Sequence, residues 1–361
     1  MVLPPPNVSL QNAYHYVIEE RMNRIIYLSI IIALIVGCRG EKKTDDIAVE
    51  SQRSFATTGS VERLDPRMDQ LIAKDAVIEI LADGHVWTEG PLWVEDGQYL
   101  LYSDIPPNQI YKWSERGGKE LYLEPSGYTG EDKRAGEPGS NGLLLDAQGR
   151  LVLCQHGDRR LARMIPAIDE PSARFETIVG DYEGKRFNSP NDAVYDKAGN
   201  LYFTDPPYGL EGNVDDPAKE LDYQGVFRFS AEGRTTLLAA DIPRPNGIGL
   251  SPDETKLYVA SSEGAPQWSV IDISPTGEAS NQRVFHDNPD AQSPGAPDGL
   301  KIDDAGHIWA TGPGGVWVFS PDGTVLGKIK TGERTSNCAF NADKSILYMT
   351  CDDYLMRIKL R

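Results

Sequence analysis

From residue 86 to the end of the chain, short apolar runs alternate with turns rich in Asp, Gly, Asn and Lys. Each pair of runs around a turn has the pattern of a β-hairpin. The pattern recurs in EGPLWVEDGQYLLYSD, SNGLLLDAQGRLVLCQ, SPNDAVYDKAGNLYFTD, RPNGIGLSPDETKLYVA, APDGLKIDDAGHIWATG and TSNCAFNADKSILYMTC. Further strand-like runs follow inside the units, such as GVFRFS and GVWVFS. Four strands in a unit of roughly 50 residues, repeated six times, predict an all-β fold, a six-bladed β-propeller.

The hairpins share one internal register. An acidic or amide residue stands eight positions ahead of the turn in every unit. These residues are Glu89, Asn141, Asn191, Asn246, Asp298 and Asn337, and the turn positions are Gly97, Gly149, Gly199, Glu254, Gly306 and Ser345. Successive turns lie 52, 50, 55, 52 and 39 residues apart. Because the offset does not vary, we expect one structural position repeated around a ring.

The sixth unit is one strand short. Only TSNCAF, SILYMTC and LMRIKL precede Arg361, whereas the strand-like run Ala76 to Ala82 (AVIEILA) stands unassigned ahead of the first unit. We predict that this N-terminal strand completes the last blade, so that no sheet edge stays open there. The propeller domain would then span residues 71–361.

The sequence before residue 71 has a different character. Residues 22–38 combine a basic start, an apolar run and a small residue before Cys38, which predicts a secretory signal peptide. Its end resembles the bacterial lipoprotein signal, in which Cys38 is lipidated. A single membrane-spanning helix is the alternative, although the apolar run, residues 25–37, is short for a span. We interpret residues 1–21 as an extension ahead of the true start, and residues 39–70 as a flexible polar tether.

These segments predict an exported bacterial lipoprotein, periplasmic or at the cell surface, held at a membrane through the lipid on Cys38. The net charge of −18 argues against nucleic acid and against electrostatic binding to anionic lipid. We expect a monomer. The cysteines show no zinc-binding spacing, and we expect Cys154, Cys338 and Cys351 to be buried free thiols.

In a propeller the innermost strands line a central channel, so the six repeated residues would form a ring at one mouth. The ring would hold two carboxylates and four amides, which are the hard oxygen ligands that calcium prefers. Without a cation, two converging carboxylates would repel each other and one would protonate. The alternative is structural, because Asn or Asp before Gly is a common turn pair. Six such residues in one register favour a metal site.

Four segments together resemble the gluconolactonase and regucalcin (senescence marker protein) family. They are WTEGPLW, NSPNDAVYDKAGNLYFTDPPYG, PNGIGLSPDETKLYVA and PDGLKIDDAGHIWATG, and the resemblance runs from Val86 to the C-terminus. Members of this family are six-bladed propellers with one catalytic divalent metal ion. The resemblance implies that Glu89, Asn191, Asn246 and Asp298 are the ligands of this ion, and that Asp298 is also the general base. It implies Ca²⁺ as the metal, with Mg²⁺, Mn²⁺ and Zn²⁺ as alternatives.

The implied activity is hydrolysis of a sugar lactone. Asn141, His156 (in CQHGDRR) and Tyr208 (in TDPPYG) are the candidate substrate contacts, and Asn337 is assigned a structural role. Two alternatives stay open. One is a phosphotriesterase that cleaves organophosphates on the same metal site, and the other is a non-catalytic propeller that binds calcium or a ligand.

Overall fold

The structure is a computed structural model that describes residues 53–263, 266–287 and 293–361. The predicted extension (1–21), the signal peptide with Cys38 (22–38) and the tether up to residue 52 lie outside the described residues. Across the described ranges, no helix has the length and apolar character needed to cross a membrane. The described residues form a six-bladed β-propeller, which confirms the predicted fold.

An N-terminal segment precedes the blades. Its elements are β1 (Ala56–Thr58), β2 (Ser60–Arg63), the helical turn α1 (Met68–Leu71) and β3 (Ile78–Ala82).

In each blade the strands follow one another in sheet order, and the first strand lies next to the first strands of the neighbouring blades. Blade one contains β4 (Thr88–Val94), β5 (Tyr99–Asp104), β6 (Gln109–Ser114) and β7 (Gly118–Leu123). Blade two contains β8 (Ser140–Leu145), β9 (Leu151–Gln155), β10 (Arg160–Met164) and β11 (Phe175–Val179), and a small hairpin, β12 (Asp181–Tyr182) and β13 (Lys185–Arg186), follows it. Blade three contains β14 (Ala193–Tyr195), β15 (Leu201–Asp205), β16 (Gly225–Phe229) and β17 (Thr235–Ala239), with a 3₁₀ turn at Asn213–Asp215.

The second half of the ring repeats this order. Blade four contains β18 (Pro245–Leu250), β19 (Lys256–Ser261), β20 (Gln267–Ile273) and β21 (Ala279–Asp287). Blade five contains β22 (Leu300–Ile302), β23 (Ile308–Gly312), β24 (Gly315–Phe319) and β25 (Val325–Lys330). Blade six contains β26 (Thr335–Phe340), β27 (Ile346–Cys351) and β28 (Tyr354–Lys359).

The N-terminal strand β3 closes the sixth blade as predicted. It pairs antiparallel with β28, with Ile80 opposite Met356 and Ile78 opposite Ile358. This pairing supplies the strand that the last repeat lacks.

The predicted boundary between tether and propeller at residue 71 is wrong. β1 adds a fifth strand to blade six through β3, and β2 adds a fifth strand to blade five through β25. Met68 in α1 and Ile72 are fully buried in the apolar core between these two blades. The polar composition of this segment concealed its role because β1 and β2 bind through backbone hydrogen bonds, which need no apolar side chains.

Apolar cores fill the spaces between neighbouring blades. Leu143 and Leu153 of blade two pack against Leu101 and Ile110 of blade one, and similar clusters separate the other blades. Each blade is therefore buried on both faces, and the channel-lining strands are held in fixed positions. The three cysteines predicted to be buried free thiols are so in the structure.

Candidate metal centre

The six repeated residues lie at the start of the channel-lining strands. Glu89, Asn141 and Asn246 occupy the second position of β4, β8 and β18, and Asn337 occupies the third position of β26. Asn191 and Asp298 stand two residues ahead of β14 and β22. In the four strands that contain a ring residue, the pairing register shifts at that point. Such β-bulges re-aim side chains, so the ring residues leave the regular alternation of the strand.

Backbone contacts between blades fix the ring. The N–H of Gly142 donates to the carbonyl of Asn191 at 2.8 Å, and the N–H of Gly247 donates to the carbonyl of Asp298 at 3.1 Å. The hydroxyl of Thr204 donates to the carbonyl of Asn246 at 2.7 Å. The backbones of these three ring residues are thereby held by the preceding blade, and their side chains are not needed for this purpose.

The contacts of their nitrogen atoms fix the orientation of the amide groups of Asn191 and Asn246. Nδ2 of Asn191 lies 3.4 Å from Nε2 of His156, and Nδ2 of Asn246 donates to Oγ of Ser262 at 3.0 Å. Ser262 in turn donates to the carbonyl of Pro297 at 2.8 Å. With each nitrogen engaged on one side, the amide oxygens of Asn191 and Asn246 are left for another partner.

Three ring oxygens are buried and lack a hydrogen-bond partner among the described residues. They are Oδ1 of Asn141, Oδ1 of Asn191 and Oδ1 of Asp298. A buried oxygen without a partner carries a desolvation cost of about 1–3 kcal/mol, which a bound cation would remove. Orphaned oxygens at repeated positions therefore fit a cation site.

Asn337 differs from the other amides in the ring. Its Oδ1 accepts the N–H of Cys338 at 2.9 Å and the ammonium group of Lys301 at 3.3 Å. Its Nδ2 donates to Oε2 of Glu89 at 3.0 Å. The oxygen of Asn337 is thus occupied, unlike those of Asn141 and Asn191.

Two carboxyl groups converge in this buried ring. Burial raises the pKa of Glu89 to about 8, against the opposing hydrogen bonds from Gly90 and Asn337. Burial also raises the pKa of Asp298 well above its usual value, and the negative charges of Glu89 and Glu137 add to the effect. A divalent cation between them would offset both carboxylate charges.

The donor set decides which cations the ring suits. Glu89, Asn191, Asn246 and Asp298 offer only carboxylate and amide oxygens, which match the preference of Ca²⁺ better than that of Zn²⁺. Among the described residues, no group of three or more His, Cys, Asp or Glu side chains could hold a metal ion. The candidate centre therefore depends on its amides.

The structure brings the other two predicted substrate contacts to the ring. His156 is fully buried, with Nδ1 3.5 Å from Oε2 of Glu137. Tyr208 lies beside Asp298 and Ser262, and burial, followed by the charge of Asp298, raises the pKa of its phenol. Whether these residues touch a substrate stays a prediction.

Three neighbours of the ring were missed by the sequence analysis. Glu137 lies in the loop between β7 and β8, outside the eight-residue register. Asp192 and Lys301 face each other in the channel, with Oδ2 and Nζ 3.6 Å apart. Asp192 directly follows the ring residue Asn191, at a position where four other units carry Gly. An Asp in place of Gly at this position was the sequence feature that could have identified it.

Residues 87–352 match the family described as SMP-30/Gluconolactonase/LRE-like region. The chain belongs to this family. A gluconolactonase of Zymomonas mobilis is 38% identical to it over 324 residues, covering 87% of this chain and 90% of the relative. The pentonolactonase XacC of Haloferax volcanii is 29% identical over 267 residues, covering 73% of this chain and 80% of the relative.

Solved structures agree with this membership. The structure of a gluconolactonase from Xanthomonas campestris superimposes with a TM-score of 0.72 at 30% identity, covering 86% of this chain and 99% of that chain. Membership of the SMP-30/gluconolactonase family confirms the resemblance drawn from the four sequence segments.

Proposed function

We propose that the protein is a metal-dependent hydrolase that opens a sugar lactone. The observation that carries the proposal is the convergence of Glu89, Asn191, Asn246 and Asp298, with orphaned oxygens among them, at one mouth of the channel. The similarity to a gluconolactonase over most of both chains supports the same reaction class.

In this proposal the four ring residues hold one divalent cation, with Ca²⁺ as the best match to the oxygen set. When bound, the cation supplies Lewis-acid polarisation of a carbonyl oxygen. His156 and Ser262 orient the amides of Asn191 and Asn246, as their contacts with Nδ2 indicate.

Asp298 is proposed to accept a proton from the attacking water. Its Oδ1 has no hydrogen-bond partner among the described residues, so no other protein group competes for it. Burial and nearby negative charge raise the pKa of this carboxyl group, and a bound cation would keep it ionised, as a proton acceptor must be.

Asn141 and Tyr208 are proposed to bind the substrate. The orphaned Oδ1 of Asn141 can accept a hydroxyl hydrogen of a sugar. The raised pKa of Tyr208 keeps its phenol protonated near neutral pH, so it can donate to a substrate oxygen. A polyhydroxylated lactone offers both kinds of partner.

Hydrolysis of glucono-δ-lactone, corrected for the spontaneous reaction, tests the proposal. We expect Asp298→Ala to lower kcat/KM by roughly 10²–10⁴-fold, the range for loss of a general acid or base. We also expect a chelator to abolish wild-type activity and added Ca²⁺ to restore it. Asp304→Ala is the matched control, because this carboxylate of the same blade is 90% exposed. Activity that survives both the chelator and Asp298→Ala would refute the metal-dependent mechanism.

Organophosphate hydrolysis is the second candidate. A diisopropyl-fluorophosphatase of Loligo vulgaris is 25% identical over 283 residues, covering 73% of this chain and 84% of the relative. Fluoride release from diisopropyl fluorophosphate, measured with the same variants, compares the two activities. A higher kcat/KM for the organophosphate than for a panel of sugar lactones would favour this candidate.

We also propose that the protein is exported and anchored by a lipid on Cys38. The basic start, apolar run and small residue before this cysteine support the proposal. Labelling of cells with a palmitate analogue tests it, since the label should be lost in Cys38→Ser. Label that persists in that variant would exclude lipidation of Cys38.

A further inference from the structure

The ammonium group of Lys301 lies inside the central channel, next to the ring. Its Nζ donates to the carbonyl of Leu300 at 3.0 Å and to Oδ1 of Asn337 at 3.3 Å, and lies 3.6 Å from Oδ2 of Asp192. Lys301 and Asp192 also line the cavity at the opposite mouth, together with Leu144 and Phe340. A fixed positive charge therefore separates the ring from the far end of the channel.

The hydrogen bond from Nζ of Lys301 holds the amide of Asn337 in one orientation. Oδ1 faces two donors, the ammonium group of Lys301 and the N–H of Cys338. A flipped amide would direct its NH₂ group at both donors and its oxygen at the carboxylate of Glu89. Lys301 and Cys338 thus ensure that Nδ2 is the atom presented to Glu89.

The orientation of Glu89 depends on that nitrogen. Oε2 receives two hydrogen bonds, one from the N–H of Gly90 at 2.8 Å and one from Nδ2 of Asn337 at 3.0 Å. With Oε2 fixed by two donors, the carboxylate cannot rotate freely. Ligands held in this way by a second layer of hydrogen bonds bind metal more tightly than free ones.

We propose that Lys301 and Asn337 are positioning residues for the cation site. Lys301, anchored by Asp192, fixes the amide of Asn337, and Asn337 fixes the carboxylate of Glu89. The inference rests on the proposed cation site and assigns it a supporting layer that comes from blades three, five and six.

The charge of Lys301 affects cation affinity in the direction opposite to its positioning role. An affinity measurement can therefore tell the two effects apart. An ammonium group near a cation site repels the cation, so removing it would tighten binding if charge alone mattered. If Lys301 acts by positioning, removing it weakens binding. The sign of the change in Ca²⁺ affinity separates the two effects.

Calorimetric titration of the purified protein with Ca²⁺, at fixed ionic strength, measures this change. We expect Lys301→Met and Asn337→Ala each to weaken binding by about 10-fold, the lower end for loss of a supporting partner. The double variant should bind no more weakly than the weaker single variant, because both act through one contact. Lys301→Arg, which keeps the charge and donors, should stay within about 3-fold of the wild type.

Lys344→Met is the matched control. Lys344 lines the same far cavity and its side chain is 33% exposed, as is that of Lys301, but it pairs with Asp304. Its removal should leave Ca²⁺ affinity unchanged. Circular dichroism checks that each variant is folded, and Asn337→Ala carries the test if Lys301→Met does not fold.

Wild-type affinity, or tighter binding, in Lys301→Met or in Asn337→Ala would overturn the positioning role and leave the cation site standing. Additive losses in the double variant would overturn the shared contact. A wild-type protein that binds no divalent cation would overturn both the cation site and this inference.

Discussion

Nδ2 of Asn191 lies 3.4 Å from Nε2 of His156. The other ring nitrogen of His156, Nδ1, lies 3.5 Å from a carboxylate oxygen of Glu137. In the tautomer that carries its hydrogen on Nδ1, Nε2 of His156 accepts a hydrogen bond from the amide, whereas Nδ1 itself has no hydrogen-bond partner among the described residues. With Nδ2 engaged in this way, Oδ1 of Asn191 is left without a hydrogen-bond partner among the described residues and is available to a cation.

His156→Ala should therefore weaken Ca²⁺ binding by roughly 10-fold or more, since the amide of Asn191 loses the partner that orients it. Titration calorimetry measures the affinity. His307→Ala is the control, because His307 pairs with Asp303 in the turn of blade five, away from the ring. Equal affinities in the two variants would contradict the role of His156.

Asp298→Asn should stabilise the protein when a chelator is present. The substitution removes a carboxyl group whose pKa is raised by burial and by the charge of Glu89, so the free energy of unfolding at neutral pH should rise. Urea unfolding followed by circular dichroism measures it. Asp304→Asn, at an exposed carboxylate, should change stability by less than about 0.5 kcal/mol. A loss of stability in Asp298→Asn would show that the two carboxylates do not repel each other.

The stability of the chelated protein should fall as the pH rises. Burial raises the pKa of Glu89 from 4.5 to about 8, so between these values the folded state holds more protons than the unfolded state. Its contribution to stability is then present below pH 4.5 and lost as the pH passes 8. Asp205, with a pKa raised by burial to about 7, acts in the same direction.

Saturating Ca²⁺ separates these contributions, because it should remove that of Glu89, together with that of the neighbouring Asp298, and leave that of Asp205. The melting temperature at pH 5.5 and at pH 8, with chelator and with Ca²⁺, measures both. A melting temperature that rises with pH in chelator would contradict the raised pKa of Glu89.

Gly247→Ala should destabilise the protein strongly. A Cβ atom at this position would lie 2.2 Å from the carbonyl oxygen of Asp298, which Gly247 contacts through its N–H. The backbone of blade four or five must move, at a cost of about 1–3 kcal/mol. Gly180→Ala is the control, because its Cβ would meet only ordinary contacts at 3.6 Å and beyond. Similar melting temperatures for the two variants would refute the close approach.

Met68→Ala tests whether the N-terminal segment belongs to the folded unit. Met68 is fully buried between blades five and six, and its truncation should cost about 2–5 kcal/mol. Leu64→Ala, at a residue that is 54% exposed, should cost much less. Urea unfolding of both variants measures the difference. Equal stability would mean that this segment contributes no packing.

Repetition explains what the sequence could predict. Six hairpins in one register identified the propeller, the ring residues and the closing role of Ala76 to Ala82. In four blades the predicted turn position has a positive φ, but in blade six Lys344 takes that conformation in place of Ser345. There the N–H and hydroxyl of Ser345 bind the carboxylate of Asp343, as those of Thr255 bind Asp253 in blade four, so the same kind of turn forms one residue nearer to the ring residue.

Contacts between units could not be predicted in the same way. Glu137 reaches the ring from an inter-blade loop that has no counterpart in the register. Lys301 meets Asp192 across the channel, and no spacing along one chain segment indicates which residues face each other there. The boundary of the tether was wrong for a related reason. β2 binds by backbone hydrogen bonds to β25, which is distant in sequence, and β1 joins blade six through β3.

The position of β1 and β2 has a mechanical consequence. Both are outermost strands, and the folded unit begins next to them, at Ser54. A pulling force applied at that end would first strip the peripheral strands β1 and β2 from blades six and five. The strand that follows Asp298, β22, lies four strands further in than β2, and β4, which carries Glu89, belongs to blade one, which contains neither peripheral strand. Tension at Ser54 would thus detach the outermost strands first, and the candidate metal centre would keep its structure while they separate.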